Sequence, residues 1–178
     1  MFIGHYGVSF AAARLRPRVS LATLFLAVQL LDVLFAIFVF AGIEKMRIVP
    51  GFTAYNPYDL YWMPYSHSLL GALVWSGLAA FVFVIVARRL RFGDRLRGAA
   101  IVAAAVFSHF VLDFPMHTPD LPLGPGPGSP RIGLGLWNHR WVAVAAELAV
   151  LLAGASCICG LRGRFVVRPA RRSSSDLS

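Results

Sequence analysis

Charged residues are scarce in this chain: they make up 14% of 178 residues, against roughly a quarter in soluble domains, while 58% are hydrophobic. Water is therefore not its main solvent. Acidic residues are scarcer still, 8 against 17 Lys and Arg. In a soluble protein that excess would suggest a nucleic-acid partner. Here the basic residues, nearly all Arg, sit between apolar runs: Arg14, Arg16 and Arg18; Arg88, Arg89, Arg91, Arg95 and Arg97; and Arg162 through Arg172. No binding module surrounds them, so no nucleic acid is expected. Cysteine is limited to Cys157 and Cys159, a spacing that suits neither a zinc knuckle nor a thioredoxin-type motif, and both read as lipid-facing or packing residues. A Gly-x-Ser-x-Gly elbow is missing, and LGPGPGSP lacks the Lys and following helix of a phosphate-binding loop. The first residues lack a basic n-region and the apolar run after Arg18 exceeds an h-region, so no cleaved signal peptide is expected.

Long apolar stretches, by contrast, are abundant. Four of them, at 20–42, 67–87, 98–116 and 137–160, approach the roughly 20 residues a helix needs to cross a hydrocarbon core of about 30 Å. The connection 43–66 holds Pro50, Gly51, Asn56, Pro57 and Pro64, and 117–136 holds the proline- and glycine-rich stretch, so both read as loops. Tyr55, Tyr58, Tyr61, Trp62 and Tyr65, with Trp137 and Trp141, place these loops at a membrane face. They carry only Lys45, Arg47 and Arg131, whereas the three arginine clusters fall on the opposite side. Basic loops stay cytoplasmic, which puts both termini in the cytoplasm and anionic lipid headgroups beside the arginines.

The expected fold class is all-α: a polytopic membrane bundle of about four transmembrane helices in one domain, residues 1–168, followed by a disordered cytoplasmic tail at 169–178. Residues 2–15, FIGHYGVSFAAARL, form an N-terminal apolar half-helix too short to span. It either folds back beside the first span or lies flat at the interface.

An ionisable group inside a membrane costs about 2.5–3.5 kcal/mol on insertion scales, so each one asks for a partner or a purpose. Asp32 lies in the first span, His67 opens the second, His109 and Asp113 share the third, and Glu147 lies in the fourth. Counting about 1.5 Å per residue from the nearest arginine puts Asp32, His109, Asp113 and Glu147 roughly 18–24 Å deep, in the outer half. His67 comes out roughly 30 Å up, and His5, if residues 2–15 fold back, roughly 13 Å above Arg14. His109 and Asp113 are four apart and share a helix face, a stripe that Pro115 keeps His117 from extending. Nitrogen and oxygen ligands at a junction of helices suit Zn²⁺ or another first-row divalent ion. The plainer alternative is that each residue hydrogen-bonds to a neighbouring helix and does no chemistry. Glu147 has the further alternative of pairing with an arginine or a histidine. His139, in WNHRW, reads as interfacial.

The motifs GHYG, LLD, SHSLL and SHFVLDFPMHT, in that order, resemble a bacterial family of inner-membrane metal-dependent hydrolases distantly grouped with zinc-dependent phospholipase C. The resemblance implies a bacterial inner-membrane location, a divalent metal, zinc foremost, and His5, Asp32, His67, His109 and Asp113 as ligands, with Thr118 where the family has its Thr. This chain lacks the family's second Asp and the His after Asp32, and has Pro-Tyr-Ser where the family has His-Arg-Gly-x-Thr before the retained His67. That leaves a reduced site or an inactive member. Glu147 or His117 standing in for a lost ligand is our own inference, not a family property.

Three functions compete at this stage. The first is a metal-dependent hydrolase near the outer leaflet, with His5, Asp32, His67, His109, Asp113 and His117 as metal ligands and Glu147 as general base, acting on an ester or phosphoester, a lipid or other small molecule. The second is a small proton-coupled transporter using Asp32, His109, Asp113 and Glu147 as a relay; with so few spans it would need to form a homo-oligomer. The third is a non-catalytic scaffold subunit whose polar residues fix helix packing.

Overall fold

The computed structural model describes residues 1–15 and 18–162; the expected tail and the basic cluster beyond Arg162 lie outside them. Six helices dominate: α1 His5–Arg14, α2 Leu21–Val28, α3 Leu30–Phe40, α4 Leu69–Val86, α5 Phe92–Met116 and α6 Arg140–Arg162. Three apolar segments are long enough to cross a membrane: α4, α5 and residues Arg140–Ile158 of α6. The pair α2 and α3 makes a fourth if its bent halves count as one span. Phe81 and Val86 of α4 are exposed, as a lipid-facing surface requires.

Two expectations need correcting. The continuous run expected over 20–42 breaks at Gln29, whose backbone (φ −99°, ψ 2°) leaves the helical path and bends the halves by 51°. The connections expected to be plain loops also carry short strands. β1 (Lys45–Ile48) pairs antiparallel with β2 (Tyr58–Trp62), and β3 (Leu121–Pro122) with β4 (Arg131–Ile132). In the first hairpin the Arg47 guanidinium donates to Asp59 directly across the ladder.

Two helices start at serine caps. Ser20 caps α2 by accepting from the Thr23 N–H, and Ser68 caps α4 by accepting from the Gly71 N–H. α5 begins at Phe92, earlier than the apolar run implied, and passes through Pro115 to Met116.

Of the two placements open to residues 2–15, folding back is the one observed, although against α6 rather than the first span alone. α1 lies along α6, α2 and α5. Its approach to α6 depends on two glycines: a Cβ on Gly7 would collide with the Val150 carbonyl, and one on Gly154 with the Gly7 backbone. Ser9 ties α1 to α2 by donating to the Leu24 carbonyl at 3.1 Å. The core among α1, α2, α3 and α5 is apolar, with Leu24, Val28, Leu31 and Val106 fully buried.

Candidate metal centre

α5 supplies the centre of the cluster. His109 and Asp113 lie one turn apart on its buried face, 3.2 Å between Nε2 and Oδ2. His117 joins them, contrary to the expectation that Pro115 would turn it away. Pro115 falls in the last turn, one residue before the helix ends, where its fixed φ still fits and a lost N–H bond disturbs little beyond it, so the chain keeps its course through Met116. The His117 N–H donates to the Asp113 carbonyl before the backbone turns extended, and Nε2 lies 3.5 Å from Asp113 Oδ2.

The other elements converge on this face. The bend at Gln29 carries Asp32 inward, its Oδ1 3.4 Å from His67 Nε2 and 3.5 Å from His109 Nε2. His67 precedes the cap of α4 and also faces Asp113 Oδ2 at 3.8 Å. The counted heights had set His67 above the others and His5 below them. The structure brings all six together. His5, at the start of α1, stacks on His109 with ring centroids 3.8 Å apart and reaches Asp113 Oδ1 at 3.3 Å. The Met1 amino group sits 2.5 Å from the same oxygen. Two overlapping triads, His5–His109–Asp113 and Asp32–His67–His109, each bring their ligand atoms within 4.8 Å of one another.

Partners outside the cluster orient three of the rings. Val28 ends α2, where carbonyls lose their intrahelical partners, and its oxygen accepts from His109 Nδ1 at 2.6 Å. Asp120 accepts from His117 Nδ1 at 2.8 Å and from the Thr118 hydroxyl at 2.9 Å. His67 Nδ1 meets the Ser66 hydroxyl at 2.9 Å. With Nδ1 donating, a neutral His109 or His117 presents the lone pair of Nε2 to a carboxylate, acceptor against acceptor. His109 Nε2 and both ring nitrogens of His5 are fully enclosed without a hydrogen-bond partner.

The residues therefore fit a cation. Charge-assisted hydrogen bonds close to about 2.7–2.9 Å, and most of these N···O pairs stand at 3.2–3.5 Å. Ligand atoms at about 2.0–2.1 Å around a tetrahedral Zn²⁺ are themselves roughly 3.3 Å apart. The buried His/Asp group can hold a metal ion.

Beside the cluster opens a pocket of about 540 Å³, lined by Asp32, His67, Asp113 and His117 on one side and by Phe35, Leu60, Tyr58 and Trp137 on others. Glu147 lines it too. This carboxylate is buried and accepts from the backbone N–H of Phe2 at 2.8 Å and of Gly4 at 2.7 Å, fastening the segment that delivers His5. Burial, reinforced by Glu147, raises the Tyr55 phenol above its ordinary pKa, which keeps it a donor at the pocket edge. His139 is exposed and outside the cluster.

The sequence reading missed Glu44, Ser66 and Asp120. Asp120 carried a readable signal, since it follows His117 by three residues in a turn. Glu44 carried none: its partners, Tyr65 and Ser66, lie more than twenty residues away. No protein family, curated protein or solved structure matches this chain.

Proposed function

We propose that this chain is a membrane-embedded metal-dependent hydrolase, with zinc as its ion, that cleaves an ester or phosphoester of an amphiphile. The observation that carries the reading is the set of imidazole nitrogens facing carboxylate oxygens at 3.2–3.5 Å, too far for strong hydrogen bonds and suited to a shared cation. Ligands drawn from His5, Asp32, His67, His109, Asp113 and His117, three or four at a time, would hold it, the remaining side chains hydrogen-bonding around them. A divalent ion there supplies Lewis-acid chemistry, acidifying water and polarising an ester or phosphoryl oxygen. Asp32, the most exposed of the six, lines the pocket. The largely apolar pocket walls suit an acyl chain or similar tail, and Glu147, facing the same space, takes the general-base role. The arginine clusters support a sidedness with both termini cytoplasmic and the site toward the outer leaflet, and the motif resemblance supports a bacterial inner membrane. The motif resemblance to inner-membrane hydrolases supports the same activity.

The test is metal content by mass spectrometry on protein purified in mild detergent, with a His109→Ala/Asp113→Ala variant alongside. Near-stoichiometric zinc in the wild type and none in the variant is expected. Lipid-ester and phosphoester hydrolysis should vanish with chelation and return with zinc. Wild-type protein that folds but retains no first-row metal would leave the cluster as a proton relay, the reading in which protons rather than an ion separate these acceptors.

A further inference from the structure

Glu44 is fully buried although it belongs to neither the cluster nor the pocket wall. It stands between α3 and β1, and its side chain reaches across the base of the first hairpin to the residues that follow β2. Oε1 accepts from the backbone N–H of Tyr65 at 2.8 Å and of Ser66 at 2.9 Å. Oε2 meets the Ser66 hydroxyl at 2.5 Å, and the same hydroxyl oxygen meets His67 Nδ1 at 2.9 Å.

The direction of this chain of bonds follows from donor counting. An ionised carboxylate only accepts, and a serine hydroxyl has one proton to give. Ser66 therefore donates to Glu44. Its oxygen can then meet His67 Nδ1 only as an acceptor, so Nδ1 bears the ring proton. Nε2, the atom turned toward Asp32 and Asp113, is left with a lone pair. His109 and His117 obtain the same state from a carbonyl and a carboxylate directly. His67 obtains it at second hand, through a hydroxyl that could point either way. Glu44 removes that freedom.

We propose that Glu44 is a positioning residue that fixes the tautomer of His67 through Ser66, holding Nε2 ready for the metal while clamping the hairpin whose residues Met46, Tyr58 and Leu60 wall the substrate pocket. The inference rests on the metal-centre reading above. One side chain thus links a wall of the pocket to a metal ligand, and outer-shell partners of metal-binding histidines typically set affinity by about 10–100-fold.

Glu44→Gln offers a nearly isosteric reversal. The amide oxygen keeps the two backbone N–H bonds and the NH₂ replaces Oε2. Ser66 then receives a proton instead of giving one, its own hydroxyl hydrogen turns to His67 Nδ1, and the ring proton moves to Nε2, where it blocks coordination. Ser66→Ala cuts the link without imposing the wrong tautomer. In Glu44→Gln/Ser66→Ala the inverted signal has no path, so Ser66→Ala rescues Glu44→Gln.

The experiment is Co²⁺ titration of detergent-purified wild type and the three variants, following the visible ligand-field bands, with size-exclusion profiles and circular dichroism to confirm folding. Affinity should fall by roughly 10–100-fold in Glu44→Gln and by less in Ser66→Ala, and the double variant should match Ser66→Ala. Wild-type affinity and bands in Glu44→Gln, or a double variant weaker than either single one, would overturn the proposal while leaving the metal centre standing. A wild type that binds no cobalt would overturn both. Should Glu44→Gln fail to fold, Ser66→Ala decides: shifted bands support the link, and unchanged bands and affinity refute it.

Discussion

Glu147 gives one carboxylate oxygen to the Phe2 amide and the other to the Gly4 amide, and each oxygen keeps a free lone pair beyond that bond. The carboxylate can therefore fasten the N-terminal arm and still take a proton from water in the pocket. Glu147→Gln removes the base and also turns an NH₂ against one of those two N–H donors, so it should loosen the arm and weaken zinc binding. Reloaded with zinc, it should lower hydrolysis by roughly 10²–10⁴-fold, the usual worth of a general base; full turnover in the zinc-loaded variant would refute the base role. Much of the cluster was legible one residue at a time, because ionisable groups in apolar runs stand out: Asp32, His109 and Asp113 declare themselves by cost alone. Glu44 and Ser66 did not, since a serine before a histidine and an acid beside a loop are ordinary until the chain folds them together.

Packing of α1 against α6 is what brings His5 to the other ligands, and that packing rests on backbone contact at Gly7 and Gly154. Gly154→Leu should drive the helices apart at a cost of about 1–3 kcal/mol and weaken zinc binding by displacing His5. Gly77→Leu on α4, where an added Cβ meets nothing within 4 Å, should change neither. Thermal unfolding and zinc titration of the pair read the difference; equal behaviour would show that the glycines do not position α1. The apolar runs marked α4, α5 and α6, and their ends agree to within a few residues apart from the early start of α5. The break at Gln29 was hidden, because polar residues in this span, Thr23 and Asp32 among them, do not by themselves stop a helix and the sequence around Gln29 contains neither glycine nor proline. Yet the break exposes the Val28 carbonyl to His109 and turns Asp32 inward, so the least readable feature of the backbone shapes the centre. The hairpins were equally hidden, since strands of two to five residues give too short a pattern to separate from loop.

The chain as a whole has two unlike ends. Exposed Arg88, Arg89, Arg91 and Arg97 gather where α4 passes into α5, and the hairpins and the pocket lie at the other. The proposed orientation is checked by single cysteines at Gly128, between β3 and β4, and at Arg89, after Cys157 and Cys159 are changed to serine. In intact cells, a membrane-impermeant maleimide should label the Gly128 position and spare the Arg89 position; the opposite pattern would invert the topology and move the site to the cytoplasmic leaflet. The pairing of α1 with α6 also bears on how the protein is made. Well over a hundred residues separate the two helices. A ribosome adding about 5–20 residues per second needs several seconds or more to deliver α6 after α1. Through that interval the first helix has α2 and α5 beside it but lacks α6, and a nascent chain stalled before α6 carries every histidine of the cluster without a closed site. His5, translated before the other ligands, is the one whose seat is completed last, when Glu147 of α6 can fasten Phe2 and Gly4.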